Sequence, residues 1–432
     1  MSALHPSTRK LNALFENGKR GEFIAMARNA KKLLKRYPSS GILLNLAGVA
    51  HANLNVYPKA IGFYMKALAI EPNNADFLNN LGNAQVALKE YDLAIQNFKK
   101  AIYISPGFSL AFNNLGLALK AQGKVELAAE FFANALSIDP MLLDSHVHLG
   151  DALLEQAKIA SARRAFRTAI EIDERCVHAY WNLFGASSSF AEAKRWLQLC
   201  VTIDPTWEKA VLMLCFMDLW ETDNKDIFEN VPAEYRNHPF VRSFSWVLGL
   251  SERPSLLFNR WSFYDAVIKK CVGTKPFYEF GVWRGASFRY LLKSLGRGFG
   301  FDTFKGLPEA WHDNSQGSYD SGGEAPVLDG GKFIVGEFEH TLPKFFSNPR
   351  ETASVINFDA DLYSSTLCAL NFAKQVIDEK TILIFDEMLM NEHWEKDEYR
   401  ALVEFCDRQK LRFRVLAVCL FSKQVAVTLT PI

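Results

Sequence analysis

"INFDADLYSST" at residues 356–366 and "LIFDEM" at 383–388 each run from an apolar, strand-like stretch straight into carboxylates. Acids at the edge of an apolar core are costly unless a metal, a cation or a strongly donating ligand compensates them, so the two stretches together predict a ligand site at strand ends. Working outward, "FYEFGV", "GFGFDTF", "FRVLAV" and "QVAVTLTPI" are further short apolar runs, separated by helical stretches. That alternation predicts an α/β layer with a mostly parallel sheet, and the close spacing of the last two runs predicts a terminal antiparallel pair. Ligands of such sheets bind at the carboxyl ends of the strands, where all the candidate acids lie.

The first half of the chain follows a different rule. Gly48, Gly82, Gly116 and Gly150 recur every 34 residues, as do Ala60, Ala94, Ala128 and Ala162. Ala67, Ala101, Ala135 and Ala169 form a third register, and Pro38, Pro72, Pro106 and Pro140 a fourth. Within a unit, apolar residues recur every three or four positions, which describes two amphipathic helices with a turn near "LKEY". The small residues let the paired helices approach closely, and the proline ends the second helix. Asn79, Asn80, Asn113, Asn114 and Asn182 recur on the first helices, either pointing into a groove where amides could hold a partner's backbone or simply solvated.

At 432 residues, two or more domains are expected. The expected division is residues 1–205 for helical repeats, clearest over 41–176, residues 206–255 for a helical connector, and residues 256–432 for the α/β domain. The 49 basic and 48 acidic side chains nearly cancel, so no global field favours nucleic acid or an anionic membrane. Seven scattered cysteines without metal-ligand spacing read as buried thiols in a reducing compartment. The sequence shows no secretory signal pattern and no apolar run long enough to span a bilayer, which together predict a cytoplasmic chain.

The first strand of the second half enters "EFGVWRGASFRYLL", where Gly281 and Gly285 bracket a tight strand-to-helix turn and Ser287 stands near the helix start. Glu279 suits a cationic or hydroxyl-bearing ligand better than a pyrophosphate. Asp302 ends the next strand and could accept from two ribose hydroxyls, although a lone strand-end aspartate is often only a turn cap. Together Glu279, Gly281, Gly285 and Asp302 favour a nucleoside pocket, which Ser287 could meet from the helix start.

The repeat spacing resembles tetratricopeptide repeats, and with it comes a superhelix whose concave groove suits a protein partner or a second copy of the chain. The stretches "YEFGVWRGAS", "FDTFKGLP", "GEFEHTLP", "DADLYSST" and "LIFDEM" resemble class I methyltransferases that use S-adenosylmethionine, and more closely the macrocin O-methyltransferase family that methylates sugar hydroxyls. The resemblance implies a Rossmann-like, mostly parallel seven-stranded sheet. It implies Glu279, Gly281 and Gly285 in the cofactor loop and Asp302 on the adenosine ribose. It also implies Mg2+ on Asp359 or Asp361 together with Asp386 and Glu387, where the family more often has two aspartates. The acceptor is then a sugar, glycan or glycosylated product whose hydroxyl a metal could activate.

Between the second and third of the runs lies "PEAWHDNSQGSYDSGGEAPVLDGGK", whose composition reads as a long mobile loop able to close over the pocket. Trp311 or Tyr319 could supply an apolar wall, and His312 could accept the hydroxyl proton, with Asp359 or Asp361 as the alternative acceptor. The competing functional readings are an inactive methyltransferase-like interaction scaffold and a nicotinamide-dependent oxidoreductase. The absence of a compact GxGxxG and the acids after two later strands oppose the latter.

Overall fold

The glycine and alanine registers of the first half are contact points between paired helices. The computed structural model describes residues 6–271, 274–312, 314 and 316–432. Its contacts divide the chain into two compact units, Met1–Glu174 and Arg175–Ile432.

The first unit is built of helical hairpins, beginning with Thr8–Lys19 and Phe23–Leu34 and ending with Leu143–Glu155 and Ile159–Ile172. The eight alanines of the two registers are all fully buried. Each register glycine lies under an aromatic ring of the following helix: a Cβ on Gly116 would sit 2.5 Å from the Phe132 ring, and one on Gly82 2.6 Å from Phe98. Close helix approach therefore depends on the missing side chain. The asparagines pair with one another across neighbouring repeats. Asn80 donates to Asn45 at 3.0 Å and Asn114 to Asn79 at 2.9 Å, while Asn113 accepts from Ser145 at 2.8 Å.

In the second unit, helices Val177–Gly185, Phe190–Ile203, Glu208–Thr222 and Pro239–Leu248 precede an eight-stranded sheet. Phe184 packs edge-on against Phe258 and Phe421, at 5.9 and 6.0 Å. The strands are β1 (Ser255–Leu257), β2 (Phe277–Phe280), β3 (Gly298–Asp302), β4 (Gly331–Val335), β5 (Val355–Phe358), β6 (Ile382–Phe385), β7 (Leu411–Cys419) and β8 (Val425–Pro431). Their order is β1-β7-β8-β6-β5-β2-β3-β4. The pairs from β6 through β5, β2 and β3 to β4 are parallel, while β8 runs antiparallel to both neighbours, giving the expected terminal pair.

This is the expected Rossmann-like arrangement with one strand more than the seven implied. The addition is β1, which pairs in parallel with the end of β7. Three residues are too short to show a period of two in sequence. Every residue of β2, β5 and β6 is buried, as central strands covered on both faces must be.

Candidate active site

A stacked aromatic ladder sets the register of the site. Phe280 of β2 stacks on Phe301 of β3 at 4.8 Å and on Phe358 of β5 at 5.4 Å, and Phe358 stacks on Phe385 of β6 at 5.0 Å. Strand pairing aligns the same residues. The residue after each phenylalanine therefore emerges at the same level of the sheet: Gly281, Asp302, Asp359 and Asp386. The order of strands reverses at β2, whose successor β3 lies on one side and β5 on the other, and a ligand crevice opens at such a switch point.

Gly281 is required at that crossing. Its φ is +88°, and a Cβ there would lie 1.8 Å from the Asp359 carbonyl oxygen. Beyond it, Asp302 Oδ2 accepts the main-chain N–H groups of Val282 and Trp283 at 2.8 and 2.7 Å, and Oδ1 accepts that of Phe304 at 2.7 Å. Glu279 lies fully buried behind this turn. Its Oε1 accepts from the Ser287 hydroxyl at 2.7 Å, and Oε2 has no hydrogen-bond partner. Burial pushes its pKa up to about 8; the Asp386 charge adds to this, and Ser287, Asn357 and Arg260 oppose it.

A cavity of about 530 Å3 opens at the carboxyl ends of the strands. Gly281, Asp302, Asp359, Asp361, Asp386 and Glu387 all line it. Glu279, Gly285 and Ser287 stand outside the lining, so Ser287 serves Glu279 rather than facing the cavity. Asp361 holds a left-handed backbone at φ +61°, a strained state that persists only where its surroundings enforce it. Burial raises Asp359 well above the ordinary carboxylate range, helped by Asp386 and opposed by Arg260. Burial and then Glu387 and Asp386 do the same to Asp361.

The β6 acids are already compensated. Arg260 donates to Asp386 Oδ2 at 2.6 Å and Gln424 Nε2 to Oδ1 at 2.5 Å. Lys423 stands 3.5 Å from Glu387, which also accepts from Asn391 at 3.0 Å. Among the described residues, no three His, Cys, Asp or Glu side chains are grouped so as to hold a metal ion. The expected Mg2+ quartet of Asp359, Asp361, Asp386 and Glu387 thus shares one cavity without forming a ligand cage. As arranged, these donors do not fit a divalent ion, because an ion drawn to Asp386 would lie against the Arg260 guanidinium, which repels it.

The loop read as mobile is folded on itself: Leu307 donates to the Ser318 carbonyl, and Gly317 donates back to that of Leu307. His312 is drawn to Asp397, with Nε2 and Oδ2 3.0 Å apart, and is not among the residues lining the cavity. Trp311 packs with Leu307 and Leu362, while Tyr319 meets Trp283 edge-on at 5.8 Å, and those last two line the cavity. Sequence reasoning missed Arg260 and Gln424, which carry no motif. It also missed Glu398, which is 2% exposed. Burial, then the charges of Asp361, Asp386 and Glu387, push that acid well upward. The recurrence of Phe before Gly281, Asp302, Asp359 and Asp386 was a visible signal for the row.

None of the seven cysteines is in a disulfide, and among the described residues no helix is long and apolar enough to cross a membrane. Residues 278–388 match a family model described as a methyltransferase domain. Tetratricopeptide-repeat models match residues 75–108, 110–140 and 143–176. Similar solved structures include pilF of Pseudomonas aeruginosa, at 22% identity over 46% of this chain and 91% of that one, with a TM-score of 0.42. MamA 41-end from Desulfovibrio magneticus RS-1 is 24% identical over 38% and 93%, with a TM-score of 0.35. YrrB, a TPR protein with an unusual peptide-binding site, is 21% identical over 43% and 97%, with a TM-score of 0.34. Comparison with curated proteins finds no matching relative. The chain therefore carries N-terminal tetratricopeptide repeats followed by a methyltransferase domain of the S-adenosylmethionine-dependent kind.

Proposed function

We propose that the domain at residues 256–432 transfers a methyl group from S-adenosylmethionine to a hydroxyl of a sugar, glycan or glycosylated product, and that the repeats recruit a protein partner or a second copy. The observation that carries the reading is the Asp302 carboxylate, which holds the glycine turn by two amides at the edge of the cavity. A carboxylate offers about four lone-pair directions, so three amide donors leave room for a ribose hydroxyl. The Trp283 and Tyr319 rings beside several carboxylates suit a sugar, whose C–H faces pack on aromatics while its hydroxyls donate.

Bound S-adenosylmethionine supplies a methyl group on a positively charged sulfur: the acceptor oxygen forms the new C–O bond as the C–S bond breaks, and the electron pair stays on sulfur. Asp359 or Asp361 takes the hydroxyl proton. Neither carboxylate has a hydrogen-bond partner among the described residues, and an upward-shifted carboxylate is the stronger base once ionised. The resemblance implies Mg2+ on these acids; here Asp386 is held by Arg260 and Gln424. His312, held by Asp397, is left out of proton transfer.

The test is calorimetric titration of S-adenosylmethionine into the full-length chain, with magnesium and with chelator, beside Asp302→Ala. Binding that is lost in the variant supports the pocket and justifies a screen of sugar acceptors with labelled methyl donor. No binding to the wild-type chain under either condition supports the inactive-scaffold reading instead.

A further inference from the structure

Four acids share the cavity, yet they fall into two chemically different pairs. Asp359 and Asp361 keep their carboxylates free of hydrogen bonds among the described residues, whereas Asp386 and Glu387 each face a cation. Arg260 lies against Asp386 at 2.6 Å, and Lys423 lies 3.5 Å from Glu387. We infer that Arg260, locked to Asp386 with Gln424, is the fixed cation of this site and stands in place of a divalent metal ion. The inference rests on the methyl-transfer reading above and concerns how the same cavity balances its charge.

The arrangement is built rather than incidental. Arg260 is the first residue of helix Arg260–Ile268, and that helix start is fixed by Asn259, 2% exposed, whose side chain accepts the Ser262 N–H at 2.8 Å. One turn on, the fully buried Tyr264 hydroxyl reaches toward Gln424 at 3.4 Å. Gln424 is itself fully buried between β7 and β8, and its Oε1 accepts from Ser422 at 2.9 Å, which turns Nε2 toward Asp386. Both Asp386 oxygens are therefore held by groups whose own positions are set by burial and hydrogen bonding.

Electrostatics favours one occupant. The guanidinium in contact with Asp386 neutralises that acid, and a divalent ion placed on the same carboxylate would be repelled by it at low dielectric. A divalent ion also needs several oxygens converging at about 2.0–2.5 Å, and to reach Asp386 it would have to displace Arg260 or lie against it. Arg260 lines the cavity while Gln424 does not, so Arg260 borders the reacting groups and Gln424 acts through Asp386 as a positioning residue. Neither lies in the span that matches the methyltransferase model, residues 278–388.

The test uses Mn2+ alone as the probe, followed by electron paramagnetic resonance on chelator-treated full-length chain, wild type beside Arg260→Gln. The wild-type chain is expected to leave millimolar Mn2+ free in solution and to bind S-adenosylmethionine equally well with chelator present. Arg260→Gln, which removes the charge but keeps a polar side chain, is expected to take up one Mn2+ per chain on the freed acids. Stoichiometric Mn2+ binding by the wild type, weakened by Asp386→Asn, overturns the inference, as does a folded Arg260→Gln that gains no site. If the variant does not fold, the wild-type titration decides. Loss of S-adenosylmethionine binding is a separate outcome, which would sink the proposed function and leave the metal result standing.

Discussion

Replacing Glu279 with Gln isolates the cost of one buried acid. Glutamate ordinarily titrates near 4.5, and burial pushes Glu279 up to about 8. At about 1.4 kcal/mol per pH unit, the ionised side chain is on the order of 5 kcal/mol less favourable in the folded chain than in the unfolded one. The folded state holds the proton through a range where the unfolded state has released it, so this contribution to stability is fully present below about pH 4.5. It is lost as pH rises through about 8, with roughly 3 kcal/mol gone by pH 7. Gln carries no charge at any of these pH values, and its Oε1 can still accept from Ser287 as Glu279 does at 2.7 Å.

Glu279→Gln is therefore expected to match the wild type within about 1 kcal/mol at pH 4.5, to exceed it by roughly 3 kcal/mol at pH 7 and by on the order of 5 kcal/mol at pH 9. Urea denaturation followed by tryptophan fluorescence reads this directly, because all nine tryptophans lie after residue 174 and report the second unit alone. Other buried acids with raised pKa values are common to both proteins and largely cancel in the difference curve. A difference that stays flat from pH 4.5 to 9 would refute the reasoning, since it would mean that Glu279 ionises as readily in the folded chain as in water.

Gly281→Ala places a Cβ 1.8 Å from the Asp359 carbonyl at φ +88°, and should cost more than about 3 kcal/mol and abolish S-adenosylmethionine binding by calorimetry. Phe358→Ala removes the ring between Phe280 and Phe385, and should lower the stability of the second unit by ~3–5 kcal/mol in the same fluorescence assay. Gly116→Ala drives a methyl to 2.5 Å from the Phe132 ring. It should cost the first unit ~1–3 kcal/mol by far-ultraviolet circular dichroism while leaving the tryptophan transition unmoved.

What could be read in sequence is what depends on neighbours along the chain. The 34-residue registers were legible because each glycine meets a ring 16 residues later within the same hairpin, as Gly116 meets Phe132. The strand-end acids were legible because an apolar run that stops at a carboxylate is itself a local pattern. Arg260 and Gln424 were not, since they reach Asp386 from 126 and 38 residues away and belong to an ordinary helix and a short turn. His312 depends on a distant partner as well. It was chosen because an imidazole is a suitable base, yet its position is decided by Asp397, 85 residues later in the chain. Strand β1 escaped because its partners Ala417, Val418 and Cys419 define it, and three residues carry no periodicity of their own.

The site follows from one structural constraint applied four times. A Phe ladder across β3, β2, β5 and β6 forces the next residue of each strand to the same level, so whatever side chains stand there must share one volume. Acids fill three of those places, and the fourth is Gly281, where the strand order reverses and the Asp359 carbonyl leaves no space for a side chain. Each acid of the row is then balanced from a different direction. Main-chain amides of the glycine turn hold Asp302, Arg260 and Gln424 hold Asp386, and Asp359 alone is left without a donor among the described residues. Asp359 stands between Gly281, which has no side chain, and Asp386, which is already held, so its carboxylate is the one open to whatever enters the cavity. That is why the proposed chemistry begins at Asp359 and its near neighbour Asp361 rather than at the paired acids of β6.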